Sequence, residues 1–84
     1  GSEMCIRDSG ISLTAGFTTP DVNEAKVKAA AIESSREVFV LADHSKFDEV
    51  SSATFAGLGK AVIITDRIPN RKYKEAADIT EVGQ

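Results

Sequence analysis

Two short apolar runs, residues 37–42 and 61–65, constrain the fold of this chain more than any other feature of its sequence. Polar residues follow each run at once, and the second run is rich in β-branched side chains, as is typical of buried strands. A helical pattern precedes the first run, since apolar side chains recur at positions 22, 25, 29 and 32. This order of helix and buried strands predicts an α/β fold with a mainly parallel sheet flanked by helices.

Local signals predict the bounds of the helix. It is expected over residues 21–36, and two starts are compatible with the sequence: Thr19 as N-cap before Pro20, or Asp21 paired with Glu24 in a capping box. Glu24 and Lys28 are four residues apart in the order that favours a surface ion pair. Three shorter elements are also expected: a strand within 50–55, a helix over 69–77 and a strand over 79–82.

The N-terminal part of the chain carries weaker signals. Residues 1–9 show no helical or strand periodicity, begin with the Gly-Ser that tag removal commonly leaves, and resemble translated adapter sequence from residue 3 onward. We therefore expect a non-native leader without a role in function. Residues 10–84 have room for one small domain and no more. Within them, the Gly-, Ser- and Thr-rich stretch 10–19 predicts a loop whose small residues let the backbone approach a ligand.

Charge and composition exclude several classes of function. The net charge of −3 and the pI near 5.0 argue against nucleic-acid binding, which needs a clustered basic surface. No apolar run approaches the roughly 20 residues that cross a bilayer, and there is no secretory signal, so we expect a cytoplasmic chain without a membrane partner. Cys5 and His44 are each the only residue of their type, which gives no basis for a metal site. Gly57 and Gly59 precede a strand instead of following one, so no nucleotide cofactor is expected.

Two polar clusters follow the predicted strands and are the candidates for chemistry. Asp43, Ser45 and Lys46 supply a carboxylate, a hydroxyl and an ammonium group, a set that can hold a polyhydroxylated anion. In the alternative interpretation, Asp43 or Ser45 caps a short following helix. The second cluster, Thr65-Asp66-Arg67, occupies the same position after the other strand. Ligands bind beyond the carboxyl ends of strands in such sheets, although any solvated strand end also carries polar residues.

Four segments together resemble the C-terminal half of the sensor domain of DeoR-family transcriptional repressors. They occur in the family's order and spacing: GISLTAGFTT from Gly10, EAKVK from Glu24, VLADHSKF from Val40 and ITD from Ile64. The resemblance implies a fold related to ribose-5-phosphate isomerase and glucosamine-6-phosphate deaminase, in a domain that binds a phosphorylated sugar and thereby releases DNA. Carried over to this chain, it implies effector-binding residues at Gly16, Phe17, Glu24, Lys28, Asp43, Ser45 and Lys46.

The resemblance also implies which parts of such a regulator are absent from this chain. In the family, a winged helix-turn-helix binds the operator DNA, and an early Gly/Ser/Thr-rich loop holds the effector phosphate; neither is matched here. Operator DNA is therefore expected as a partner only through an absent N-terminal domain. Half of a sensor domain exposes an apolar sheet edge and helix face, which favours self-association or pairing with another chain. Of these, a homo-oligomer is expected.

Two other function classes are alternatives to the sensor. A sugar-phosphate isomerase or deaminase on the same fold would use Asp43 or Glu24 as base and Lys46 as electrophilic support. A phosphoacceptor module needs either an acidic cluster at an earlier strand end or a cysteine that opens a phosphate loop, and the sequence has neither. The resemblance to repressors favours a sensor without enzymatic activity, and the isomerase or deaminase is the alternative.

Overall fold

The computed structural model describes residues 3–7 and 9–82, which form two sheets and two α-helices around one core. The first sheet is parallel throughout, and its order is β1 (Glu3–Arg7), β4 (Glu37–Leu41), β6 (Val62–Thr65) and β7 (Asp78–Glu81). The second is antiparallel, with the order β2 (Gly10–Ser12), β3 (Gly16–Thr19) and β5 (Ala53–Ala56). The helices are α1 (Val22–Ser34) and α2 (Lys72–Ala76), and two 3-10 turns occupy His44–Lys46 and Leu58–Lys60.

The predicted α/β class and parallel sheet are confirmed, since both apolar runs are neighbouring parallel strands. The three shorter elements occur within three residues of their expected bounds. The helix begins after Asp21, whose Oδ1 accepts hydrogen bonds from the amides of Asn23 at 2.8 Å and Glu24 at 3.3 Å. Asp21 is therefore the N-cap, and Thr19 is not. Neither α-helix in the described part of the chain is long and apolar enough to cross a membrane.

Two predictions about the N-terminal part are wrong. Residues 3–7 form strand β1, which pairs with β4 from Glu3 opposite Glu37 to Arg7 opposite Leu41. Residues 10–19 form a hairpin of β2 and β3 and not a loop, and the antiparallel sheet it belongs to was not predicted. Both strands are stabilised by long-range pairing and burial, which local periodicity does not report. The expectation that residues 1–9 are non-native concerns their origin and stays a prediction.

The core lies between the inner faces of the two sheets and α1. Val38, Val40 and Ile63 alternate with less buried residues along β4 and β6, so that one face of the parallel sheet is dry. Facing residues come from the hairpin and β5, where Phe17 stacks on Phe55 with the ring centroids 6.1 Å apart. Helix α1 packs on this second sheet.

Tyr73 of α2 fixes the loop that follows β4. Its ring is fully buried and meets Phe47 edge to face, with 4.8 Å between centroids. Its hydroxyl donates to the Asp48 carboxylate at 2.5 Å and accepts from the Asp48 amide at 3.1 Å. That amide also donates to the Ile11 carbonyl at 2.6 Å, with Asp48 in the left-handed region at φ 69°. The segment that carries Asp43 and Lys46 is therefore tied to both β2 and α2.

Candidate functional site

A cleft of about 340 Å³ opens where β1, β4 and β6 end. Parallel neighbours terminate at one edge of a sheet, so polar side chains that follow different strands meet there. The charged residues of the lining come from three separate parts of the sequence, which are Arg7, Asp43 with Lys46, and Asp66. The apolar residues of the lining lie at the strand ends or directly after them: Leu41, Ala42, Ile64 and Val82.

Asp43 holds the turn on one side of the cleft. One carboxylate oxygen accepts the backbone amide of Ser45 at 2.8 Å and also the Ser45 hydroxyl, which caps the 3-10 turn His44–Lys46. These two hydrogen bonds lower the pKa of Asp43. The capping interpretation of this cluster is therefore confirmed. The second oxygen accepts no hydrogen bond within the described residues, so capping leaves half of the carboxylate available to a ligand.

Asp66 is held from the other side by His44. Its Oδ1 accepts a hydrogen bond from the backbone amide of His44 at 2.8 Å, and its Oδ2 lies 2.9 Å from the ring Nδ1 of the same residue. The hydrogen bond from the His44 ring is the main reason that the pKa of Asp66 is lowered. This two-point contact joins the loop after β4 to the loop after β6.

The acidic and the basic residues of the cleft differ in their contacts with other described residues. Both carboxylates are hydrogen-bonded, whereas within the described residues neither Arg7 nor Lys46 takes part in an ion pair. A guanidinium and an ammonium group that lack an ion-pair partner among the residues the structure describes favour an anionic ligand at this cleft. Asp43 and Asp66 can accept hydrogen bonds from ligand hydroxyls in the same space. Among the described residues, no group of three or more histidine, cysteine, aspartate or glutamate side chains has the geometry of a metal site.

The other predicted site residues lie elsewhere. Glu24 and Lys28 form the predicted ion pair on α1 with Nζ and Oε1 3.2 Å apart, and the Lys28 ammonium also lies 5.4 Å from the ring centroid of Phe55. Gly16 opens β3 with φ 74°, and Phe17 is a core residue with no exposed surface for a ligand. None of these four lines the cleft. Asp43 and Lys46 are brought together there, with Ser45 bound to Asp43.

Sequence reasoning missed Arg7 of the cleft and the buried Ser9, because both belong to the segment that was expected to be a leader. Arg7 is the last residue of β1 and lines the cleft. Ser9 follows that strand, has no exposed surface, and is the one buried side chain of the described residues whose hydroxyl has no hydrogen-bond partner. Recognising strand β1 in the sequence would have indicated both residues. That strand is evident from its pairing with β4 and not from the local sequence pattern.

Comparisons with known proteins point to one family. The family described as DeoR C-terminal sensor domain matches residues 3–67. The HTH-type transcriptional regulator FruR of Bacillus subtilis is 53% identical over 57 residues, covering 68% of this chain and 23% of the relative. IolR, an HTH-type transcriptional regulator of the same organism, is 32% identical over 76 residues, or 89% of this chain and 30% of IolR. A putative sgc region transcriptional regulator of Escherichia coli is 38% identical over 76 residues, with 84% and 29% covered.

The chain thus spans between about a quarter and a third of the length of these relatives. Their names are those of transcriptional regulators and not of enzymes, in agreement with the prediction that the chain is not an enzyme. No solved structure gives a significant match.

Proposed function

Because the chain belongs to the family of DeoR C-terminal sensor domains, we propose that it is the effector-sensing part of a transcriptional regulator and binds a phosphorylated sugar in the carboxyl-end cleft. The observation that carries the proposal is the convergence of Arg7 and Lys46, neither of which has an ion-pair partner among the described residues, with two ordered carboxylates around one cleft. The cations suit the phosphate, and the carboxylates suit the sugar hydroxyls.

In this proposal the sugar phosphate acts by differential affinity. It binds one arrangement of the regulator more tightly than another and so shifts the population away from the form that binds the operator. The DNA contact belongs to a part of the regulator outside this chain, since the net charge here is −3.

The structure gives little support to an isomerase or deaminase. A general base works best when its pKa lies near the working pH, whereas the capping hydrogen bonds hold the pKa of Asp43 below its usual value. The other candidate base, Glu24, is paired with Lys28 on α1 and does not line the cleft.

The test is a titration of the ¹⁵N-labelled chain followed by amide chemical shifts. The ligands are inorganic phosphate, ribose 5-phosphate, fructose 1-phosphate, fructose 6-phosphate and glucosamine 6-phosphate, with the unphosphorylated sugars for comparison. We expect one phosphosugar to shift the amides around His44–Lys46 and Asp66 at concentrations where phosphate and the free sugar do not, and to be recovered unchanged.

Two variants form a matched pair for this titration. Lys46 and Lys60 each end a 3-10 turn, but Lys46 lines the carboxyl-end cleft and Lys60 lies at the opposite end of the sheet. Lys46→Gln is expected to weaken binding about tenfold or more, the usual effect of losing a charge-assisted hydrogen bond, and Lys60→Gln is expected to leave it unchanged. Equal loss in both variants, no shift with any phosphosugar, or turnover of the ligand would each contradict the proposal.

A further inference from the structure

His44 lies beside the carboxyl-end cleft without lining it. The lining includes Asp43 and Lys46, which lie on either side of His44 in the chain, and Asp66 of the loop after β6. Both the backbone amide and the ring of His44 contact the Asp66 carboxylate, at 2.8 Å and 2.9 Å. One residue therefore sets the position of Asp66 relative to the turn that carries Lys46.

The hydrogen bonds of Asp66 fix the plane of its carboxylate. Its Oδ1 accepts from the His44 amide at 2.8 Å and from the Thr65 hydroxyl at 3.3 Å, and its Oδ2 lies 2.9 Å from Nδ1 of the His44 ring. The contact with the ring is the main cause of the lowered pKa of Asp66, so the carboxyl group is ionised at neutral pH. An ionised carboxylate only accepts hydrogen bonds, and Nδ1 is therefore the donor. Of the roughly four lone-pair sites of a carboxylate, the contacts with described residues leave one on Oδ2.

The ring of His44 determines the direction of that remaining site. Without the ring, the contacts described here would hold only Oδ1, and the half-exposed carboxylate could rotate about its Cβ–Cγ bond. With both oxygens held, the acceptor that Asp66 offers at the cleft has one orientation before a ligand arrives. Such preorganisation raises affinity, because the ligand does not have to order the side chain.

We propose that His44 is a positioning residue of the effector site, whose ring holds Asp66 in the orientation that accepts a hydroxyl of the sugar. The inference rests on the proposed function and adds a separation of roles within the cleft. The cations bind a phosphate group whatever it is attached to. Asp66 contributes only when the ligand carries hydroxyl groups. His44 therefore acts on the preference for a phosphosugar over inorganic phosphate.

The experiment compares His44→Ala with the matched variant His44→Asn. Asparagine keeps an N–H donor on Cγ, in the place of Nδ1, whereas alanine leaves only the backbone amide. Wild type and both variants are titrated with inorganic phosphate and with the phosphosugars named above, followed by amide chemical shifts, which also report whether each variant is folded. His44→Ala is expected to weaken phosphosugar binding roughly three- to tenfold, which is less than the full contribution of a hydrogen bond to a carboxylate. Its affinity for inorganic phosphate should not change, and His44→Asn should bind the phosphosugar as wild type does.

Asp66→Ala tests whether the ring acts through Asp66. In that background His44→Ala should cause no further loss of phosphosugar affinity, because the group that it positions is gone. A direct contact of His44 with the ligand, or a general loosening of the turn, would weaken binding in both backgrounds. Without any ligand, the pKa of Asp66 measured by ¹³C chemical shift should rise towards its ordinary value of 3.8 in His44→Ala and stay low in His44→Asn.

The outcomes separate this proposal from the proposed function. Wild-type binding of a phosphosugar that His44→Ala matches, or that His44→Asn fails to restore, would overturn the role of His44 alone. So would an equal loss of inorganic phosphate binding, or a further loss in the Asp66→Ala background. A wild-type chain that binds none of the phosphosugars would overturn the proposed function, and the role of His44 in it as well.

Discussion

Replacing Tyr73 by phenylalanine removes one hydroxyl from a fully buried position and leaves the ring that packs on Phe47. The hydroxyl donates to the carboxylate of Asp48, and hydrogen bonds to a charged partner contribute about 1.5–3 kcal/mol. Asp48 is exposed and regains water in the variant, which favours the lower part of that range. We therefore expect Tyr73→Phe to lower the free energy of unfolding by about 1.5–2 kcal/mol, or Tm by roughly 10 °C.

The same hydroxyl makes stability depend on pH in a defined window. Burial, followed by the hydrogen bond to Asp48, raises the pKa of Tyr73 from 10.0 to about 12, so the unfolded chain releases this proton first as the pH rises. The contribution of Tyr73 is complete below the unfolded pKa of 10.0 and is lost as the pH approaches 12. Lysine deprotonation affects wild type and variant alike, so the difference between them isolates the phenol.

Urea unfolding of both chains from pH 7 to pH 11 measures this difference, which should shrink towards zero above pH 10. Asp48→Asn is the matched variant because it keeps an acceptor oxygen and tolerates the positive φ, and its cost should stay below about 1 kcal/mol. A Tyr73→Phe cost under about 0.5 kcal/mol that does not vary with pH would refute the hydrogen-bond network.

Three further predictions use unfolding measurements. Gly16→Ala introduces a Cβ 2.4 Å from the Ala56 carbonyl oxygen at a positive φ and should lower the free energy of unfolding by about 3 kcal/mol or more. Its control is Gly57→Ala, whose Cβ meets open space, so stability should change by less than about 0.5 kcal/mol. Similar midpoints of urea unfolding for the two variants would contradict the position of the hairpin. Asp21→Ala removes the N-cap and should lower the free energy of unfolding by about 1 kcal/mol. Glu24→Gln removes only the ion pair with Lys28 and should lower it by less than about 0.5 kcal/mol. If thermal unfolding shows the reverse ranking, Asp21 is not the N-cap. The hydrogen bonds that lower the pKa values of Asp43 and Asp66 stabilise the fold above pH 3.8, and this stabilisation is lost as the pH falls through the folded pKa values. Asp43→Asn and Asp66→Asn should therefore each reduce the loss of stability below pH 3.8. Acid unfolding curves parallel to that of the wild type would contradict both contacts.

The elements that the sequence predicts well are those whose signals are contiguous in the sequence. Strands β4 and β6 are apolar at nearly every position, and the capped start of α1 is visible in Asp21 and its neighbours. The hairpin is different, because its buried residues Ile11 and Phe17 stand among small polar residues and pair with each other across the turn. Their burial depends on β5 more than thirty residues later, and no local window contains that information.

The candidate site divides in the same way. The Asp43–Lys46 cluster could be predicted because its residues are adjacent in sequence and follow a recognisable strand. Arg7 and Asp66 join it only through the strand order β1, β4, β6, which sets the carboxyl ends of three distant segments side by side. The ion pair of Glu24 with Lys28 was predictable from helical spacing, but that spacing does not say that the pair lies away from the cleft.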